Sequence, residues 1–125
     1  MIDDLKIDAI AFLNTAFDRE ARRLFQGFSE LEREAWPFEY QEYLRWLQNS
    51  FATTEYMDMI AKSRGISSGE YLELTRKRVN AFKSISALMI GKLQAAREEI
   101  KRACTSEEID KAKARGLLEL ETVFV

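Results

Sequence analysis

The feature that most constrains the fold is a proline-free stretch of sequence over residues 68–104. Its apolar and small residues recur every three or four positions, which is the spacing of one face of an α-helix. Ser67 and Glu70 stand three residues apart at its start, as in a capping box. The stretch therefore predicts one long helix over residues 68–104. Its seam consists of Val79, Phe82, Ser86, Met89, Leu93, Ala96 and Ile100.

A second long helix is predicted over residues 1–35. Apolar or small residues run from Ile10 to Ala35 with the same spacing of three and four, and Gly27 is expected to kink the helix. Two long helices with matched seams are typical of an antiparallel hairpin with coiled-coil-like packing.

Shorter helices are predicted around these two. Trp36 precedes Pro37, and a residue before proline is pushed toward an extended conformation, so a break is expected there and a new helix from Pro37. Gly65 and Gly116 are expected to end two of these helices. The shorter helices are predicted over residues 37–50, 53–64 and 106–115, followed by a tail over residues 117–125.

The composition supports one all-α domain. The chain has 125 residues, one proline and five glycines, so helix breakers are scarce, and this length is typical of a single domain. We therefore expect residues 1–125 to form one helical domain. In it, two short helices join the two long antiparallel helices, and a short C-terminal helix and the tail follow.

The charged and reactive residues argue against several functional classes. Nineteen basic and 21 acidic side chains give a formal charge of −2, which disfavours a polyanion such as nucleic acid and an anionic membrane surface. The chain has no histidine, and Cys104 is its one cysteine, so we expect no catalytic site, no metal site and no cofactor. With no apolar run long enough to span a bilayer, a cytoplasmic location is expected.

Aromatic residues are concentrated between residues 36 and 56. At helical spacing, the core is expected to contain Trp36, Tyr40, Tyr43, Leu44 and Leu47. Phe38 and Trp46 point away from that face, and large aromatics there are candidate contacts with a partner protein. Gly91 lies off the seam of the long helix and is a second candidate, because a glycine admits another backbone. Phe124, in the apolar tail, is a third.

Two alternatives stay open beside a protein-interaction module. The spacing of Ala61, Gly65, Ile66, Tyr71 and Leu74 partly fits a helix-turn-helix, although carboxylates at the start of its second helix would face phosphates. This DNA-binding alternative requires one exposed basic patch beside the Ser67 turn. The patch would consist of Arg76, Lys77, Arg78 and Lys83. The other alternative is a self-associating helical bundle.

Three blocks of sequence carry a resemblance to a known class of proteins. The blocks are Trp36, Pro37 and Gln41; then Arg64, Gly65 and Ile66; then Ala87, Leu88, Ile90, Gly91, Lys92, Gln94 and Ala95. In order and spacing, the stretch over about residues 35–113 resembles small helical proteins encoded beside tail fibres in the tail gene clusters of tailed phages and prophages. This chain departs from their pattern in its middle helix, which is aromatic where theirs is rich in alanine.

The resemblance implies a tail accessory or tail-fibre assembly protein. Its expected partner is a tail fibre or another tail component, with homo-oligomers left open. The resemblance provides no catalytic residues to carry over. It places the protein in the cytoplasm of a bacterial host or in the phage particle.

Overall fold

The computed structural model describes residues 1–124, and α-helices account for most of them. The helices are α1 (Ile2–Ala21), α2 (Glu30–Gln48), α3 (Glu55–Arg64), α4 (Ser68–Arg102) and α5 (Ser106–Glu121), with a short 3₁₀ helix, Arg22–Phe25, after α1. No residue within 1–124 lies in a β-strand. The predicted all-α class is therefore confirmed. None of the helices described is both long enough and apolar enough to cross a membrane.

The predicted helix over residues 1–35 is wrong, because the chain stops and restarts near Gly27. Gly27 adopts a φ of +85°, a left-handed conformation that ends the 3₁₀ segment. Ser29 then caps α2: its hydroxyl accepts from the Glu32 backbone N–H at 3.1 Å, and the Glu32 carboxylate accepts from the Ser29 N–H at 3.0 Å. This capping box begins a new helix well before Pro37.

The break predicted at Trp36 is also wrong. Pro37 lies in the interior of α2, which continues to Gln48. Proline lacks the N–H of a regular helix and is unfavourable in a helix interior by about 3 kcal/mol relative to alanine. The start at Ser29 and the packing of the later turns of α2 outweigh that cost. The end of α3 at Arg64 is confirmed, with Gly65 left-handed at a φ of +75°.

The predicted stop at Gly116 and the tail from residue 117 are wrong as well. α5 begins after Thr105, whose hydroxyl accepts from the Glu108 N–H at 3.1 Å, and continues through Gly116 to Glu121. Leu120 is buried, so the residues assigned to the tail contribute to the core as helix. Val125, the last residue of the predicted tail, lies outside the described residues.

The described residues form two compact units. Unit 1 comprises residues 1–26 and 84–124, and unit 2 comprises residues 27–83, so α4 contributes to both. In unit 1, α1 packs along α5. The Lys6 ammonium also donates to the Lys101 carbonyl on α4 at 2.8 Å. The first helix is 20 residues long rather than 35, and the antiparallel hairpin stays a prediction. The core of unit 1 contains Leu13, Phe17, Met89, Ala96, Ile100, Ile109, Ala112 and Leu120.

Candidate functional site

Two buried carboxylates on α2 bind groups on the neighbouring helices of unit 2. Glu42, whose residue surface is 7% exposed, accepts hydrogen bonds from the Tyr56 and Met57 backbone N–H groups, both at 2.9 Å. These N–H groups belong to the first turn of α3, where a helix has no internal acceptors for them. The Thr54 hydroxyl, in the N-cap position, instead donates to Asp58 at 3.0 Å. Glu42 therefore caps α3 from a neighbouring helix.

Glu39, 3% exposed, links α2 to α4. The Tyr71 hydroxyl donates to its carboxylate, and an Arg78 guanidinium nitrogen lies 3.4 Å from the same oxygen. The Arg78 guanidinium also lies over the Trp36 ring, 5.3 Å from its centroid. A carboxylate this deeply buried is stable only when paired and hydrogen-bonded. Arg78 and Tyr71 meet that requirement.

The Tyr71 phenol gives this network a measurable pH signature. Its burial and, to a smaller extent, its hydrogen bond to Glu39 raise the pKa of Tyr71 from 10.0 to about 12. The folded state thus holds this proton more tightly than the unfolded chain. The resulting stabilisation is complete below about pH 10 and is lost as the pH rises through about 12.

We expect wild type to lose more stability than Tyr71→Phe across that pH window, on the order of 1–2 kcal/mol. Urea unfolding of the two proteins at several alkaline pH values measures this difference. Other groups titrate in both proteins and cancel in the comparison. If the free energies of unfolding of wild type and Tyr71→Phe change equally with pH, the raised pKa of Tyr71 is ruled out.

Thr75, one turn after Tyr71 on α4, is fully buried, and its hydroxyl has no hydrogen-bond partner among the described residues. Replacing it with valine keeps the shape and removes a polar group whose burial is unfavourable. We expect Thr75→Val to raise the free energy of unfolding by about 1 kcal/mol. The same change at the exposed Thr53 is the control, with an expected effect near zero in urea unfolding. A loss of stability in Thr75→Val would show that the hydroxyl is satisfied.

An exposed apolar surface lies beside the Glu42 cap. Phe38 on α2 is 61% exposed, and its ring centroid lies 5.9 Å from that of Tyr56 on α3. Met59 follows Tyr56 by three residues on the same face of α3 and is 69% exposed. We call these three residues the Phe38 surface. Because Glu42 binds the backbone N–H of Tyr56 itself, the two helices hold this surface in a fixed arrangement.

The exposed charged residues within one helical turn of the Phe38 surface, along α2 and α3, are mostly acidic. Glu34 lies one turn before Phe38, and Glu55 lies one turn before Met59; both are exposed. Asp58 is exposed and directly precedes Met59 in sequence. Lys62, a cation, lies one turn after Asp58. The edge therefore favours a partner segment that carries basic residues together with apolar ones.

No protein-family model, no curated protein and no solved structure matches this chain.

The structure separates the two aromatic candidates on α2. Phe38 is exposed, as a partner contact requires. Trp46 is half-buried: its ring stacks on the buried Tyr43 at 6.4 Å, and it packs against a core cluster of unit 2. That cluster contains Met57, Ala61, Tyr71 and Leu72. The predicted core face of α2 is also only partly buried, because Leu44 and Leu47 are exposed.

The other two candidates lie in unit 1. Gly91 is exposed, and a Cβ added to it would meet no atom within 4 Å. Phe124 is half-buried against the unit 1 core, and the Arg23 guanidinium lies 4.4 Å from its ring centroid. Phe38 and Gly91 are therefore the exposed members of the predicted set, each in its own unit.

Proposed function

We propose that this chain is a non-catalytic protein-interaction module that binds another protein through the Phe38 surface. The observation that carries the proposal is the contact between exposed Phe38 and Tyr56 on two helices joined by the buried Glu42 carboxylate. Aromatic residues and methionine are enriched in protein interfaces. The Glu42 hydrogen bonds also join α2 to α3, so that binding does not have to order the backbones that carry this surface.

Three of the four basic residues of the predicted patch, all but the exposed Lys77, have partners within the chain, which supports this proposal over the DNA-binding alternative. Arg78 is half-buried and paired with Glu39, and Arg76 is paired with Glu73 through a hydrogen bond of 2.9 Å. The Lys83 ammonium lies over the Tyr40 ring, 5.5 Å from its centroid. A phosphate contact would have to compete with these internal partners.

The resemblance to proteins of phage tail gene clusters suggests the biological setting. On that basis we propose a role in tail or tail-fibre assembly, as a chaperone or accessory structural protein, with a tail fibre or another tail component as the partner. Of the three blocks that carry the resemblance, one contains the Gly65 turn and another the exposed Gly91. The first block surrounds Phe38. Each block therefore includes or adjoins a residue at a turn or at the surface.

Co-expression with the proteins encoded on either side of this gene tests the proposal. Size-exclusion chromatography with mass detection should give a complex of defined stoichiometry with one of them. The same neighbours expressed without this chain are the control. The proposal fails if the chain elutes without any of those proteins while remaining folded by circular dichroism.

A further inference from the structure

Many aromatic rings of this chain have a cation of the same chain over them. The distances from the cation to the ring centroid run from 4.0 Å, for Lys113 over Phe12, to 5.9 Å, for Arg64 over Tyr71. At such distances the negative face of the ring attracts the cation. Trp36, Tyr40 and Phe124 are covered in the same way.

Phe38 and Tyr56 differ from those rings. Within residues 1–124, no lysine or arginine lies over either of them, although both side chains are exposed. Their ring centroids are 5.9 Å apart and their planes are tilted by 42°, so the two rings are not stacked face to face and neither hides the other. We call these two residues the ring pair. It is an aromatic site that the chain itself leaves without a cation.

Unpaired carboxylates lie close to the ring pair along both helices. Glu34 lies one turn before Phe38 on α2, and Glu55 and Asp58 lie in the first turn of α3. All three are exposed, and none of them has an ion-pair partner within residues 1–124. Negative charge that no internal cation neutralises favours a partner that supplies the cation.

Building on the proposed function, on which this step rests, we infer that the partner places an arginine side chain against the ring pair. A planar guanidinium stacks on aromatic faces and is more weakly hydrated than an ammonium, so it loses less on leaving water. Its fork of N–H donors can also bind a neighbouring carboxylate such as Glu55. An acidic segment would be repelled at this site, and a purely apolar one would leave the carboxylates without a cation.

A titration of the ¹⁵N-labelled full chain with a short peptide, followed by NMR, tests this inference. The probe is acetyl-Leu-Arg-Leu-Arg-Leu-amide at low ionic strength. The control peptide has citrulline, a neutral analogue of nearly the same shape, in place of each arginine. The backbone amide signals of Tyr56 and Met59 should shift and saturate with the arginine peptide. We expect affinity for the citrulline peptide to be weaker by about threefold or more.

Two variants of the chain separate the ring from the charge. Phe38→Leu keeps an apolar side chain but removes the ring, and should bind the arginine peptide about threefold more weakly. Phe51→Leu is its control, because Phe51 is 94% exposed in the loop between α2 and α3, and it should bind as wild type does. Glu55→Gln should weaken binding by about twofold. Glu107→Gln, in the first turn of α5, should leave it unchanged.

Three results would overturn the inference. They are the absence of a saturable shift with the arginine peptide, equal affinity for the two peptides, and wild-type affinity in Phe38→Leu. The titration needs no natural partner, so its failure is distinct from a failure of the co-expression experiment. A complex obtained by co-expression and weakened by Phe38→Ala, together with a negative titration, would support the proposed function and reject only the arginine contact.

Discussion

Replacing Glu42 with alanine should lower the free energy of unfolding by about 3 kcal/mol. The change leaves the Tyr56 and Met57 N–H groups without their acceptor at the start of α3. An unsatisfied buried donor costs about 1–3 kcal/mol, and a hydrogen bond to a charged group is stronger than a neutral one. The carboxylate is also favoured by the partial positive charge of the helix N-terminus. Urea unfolding followed by far-UV circular dichroism measures the loss.

Two further variants make the Glu42 result specific. Glu42→Gln keeps one acceptor oxygen and should lose roughly half as much stability as Glu42→Ala. Glu34→Ala removes an exposed carboxylate from the same helix and should change stability by less than about 0.5 kcal/mol. If Glu42→Ala costs no more than Glu34→Ala, the capping contact does not hold α3 in place.

Replacing Gly116 with leucine should destabilise the protein by about 3 kcal/mol. A Cβ at this position would lie 3.0 Å from the Ala96 Cβ and 3.1 Å from the Leu13 Cδ2, in the buried region where α1, α4 and α5 meet. The remaining carbons of leucine have no space, and overpacking a core costs typically about 1–3 kcal/mol, occasionally more. Thermal and urea unfolding of Gly116→Leu against wild type measures this effect.

Gly91 offers the matched control for that substitution. It lies in α4 in the same unit, and an added Cβ there meets nothing within 4 Å. Gly91→Leu should therefore raise the free energy of unfolding by about 0.5–1 kcal/mol, through helix propensity alone. The two glycine substitutions thus have opposite expected signs. Equal effects at Gly91 and Gly116 would contradict the close approach of the three helices at Gly116.

Local sequence signals predicted much of the secondary structure. The caps at Ser67 and Thr105 and the left-handed glycine at Gly65 lie where their residue types predict them. Each of these signals depends only on a few neighbouring residues. The all-α class follows similarly from helical periodicity and from the scarcity of proline and glycine.

The helix breaks were predicted less well, because residues that locally favour a break, such as proline and glycine, competed with tertiary contacts. Pro37 is a strong local breaker, yet α2 passes through it, since the Ser29 capping box had already begun the helix. Glycine is typical of a helix end. At Gly116, however, the absence of a side chain allows three helices to pack closely. Tertiary contacts decide between these uses of proline and glycine. The periodicity of a single segment carries no information about those contacts.

The candidate surface was predicted only in part. Phe38 and Trp46 both lie off the expected core face of α2, but Trp46 packs against residues of α3 and α4 that the sequence does not place beside it. The buried roles of Glu39 and Glu42 were not predicted at all. A signal was present: both carboxylates lie among the aromatic residues of α2, three positions apart and therefore on one face. Their partners, however, are 14 to 39 residues away in sequence.

The most direct test of the proposed function is the affinity of Phe38→Ala for the protein identified by co-expression. Isothermal titration calorimetry should show a loss of at least tenfold, with unfolding stability within about 1 kcal/mol of wild type, because the side chain is mostly exposed. Leu31→Ala, an exposed position on α2 outside the Phe38 surface, should bind as wild type does. Unchanged affinity in Phe38→Ala, or an equal loss in Leu31→Ala, would contradict the assignment of binding to the Phe38 surface.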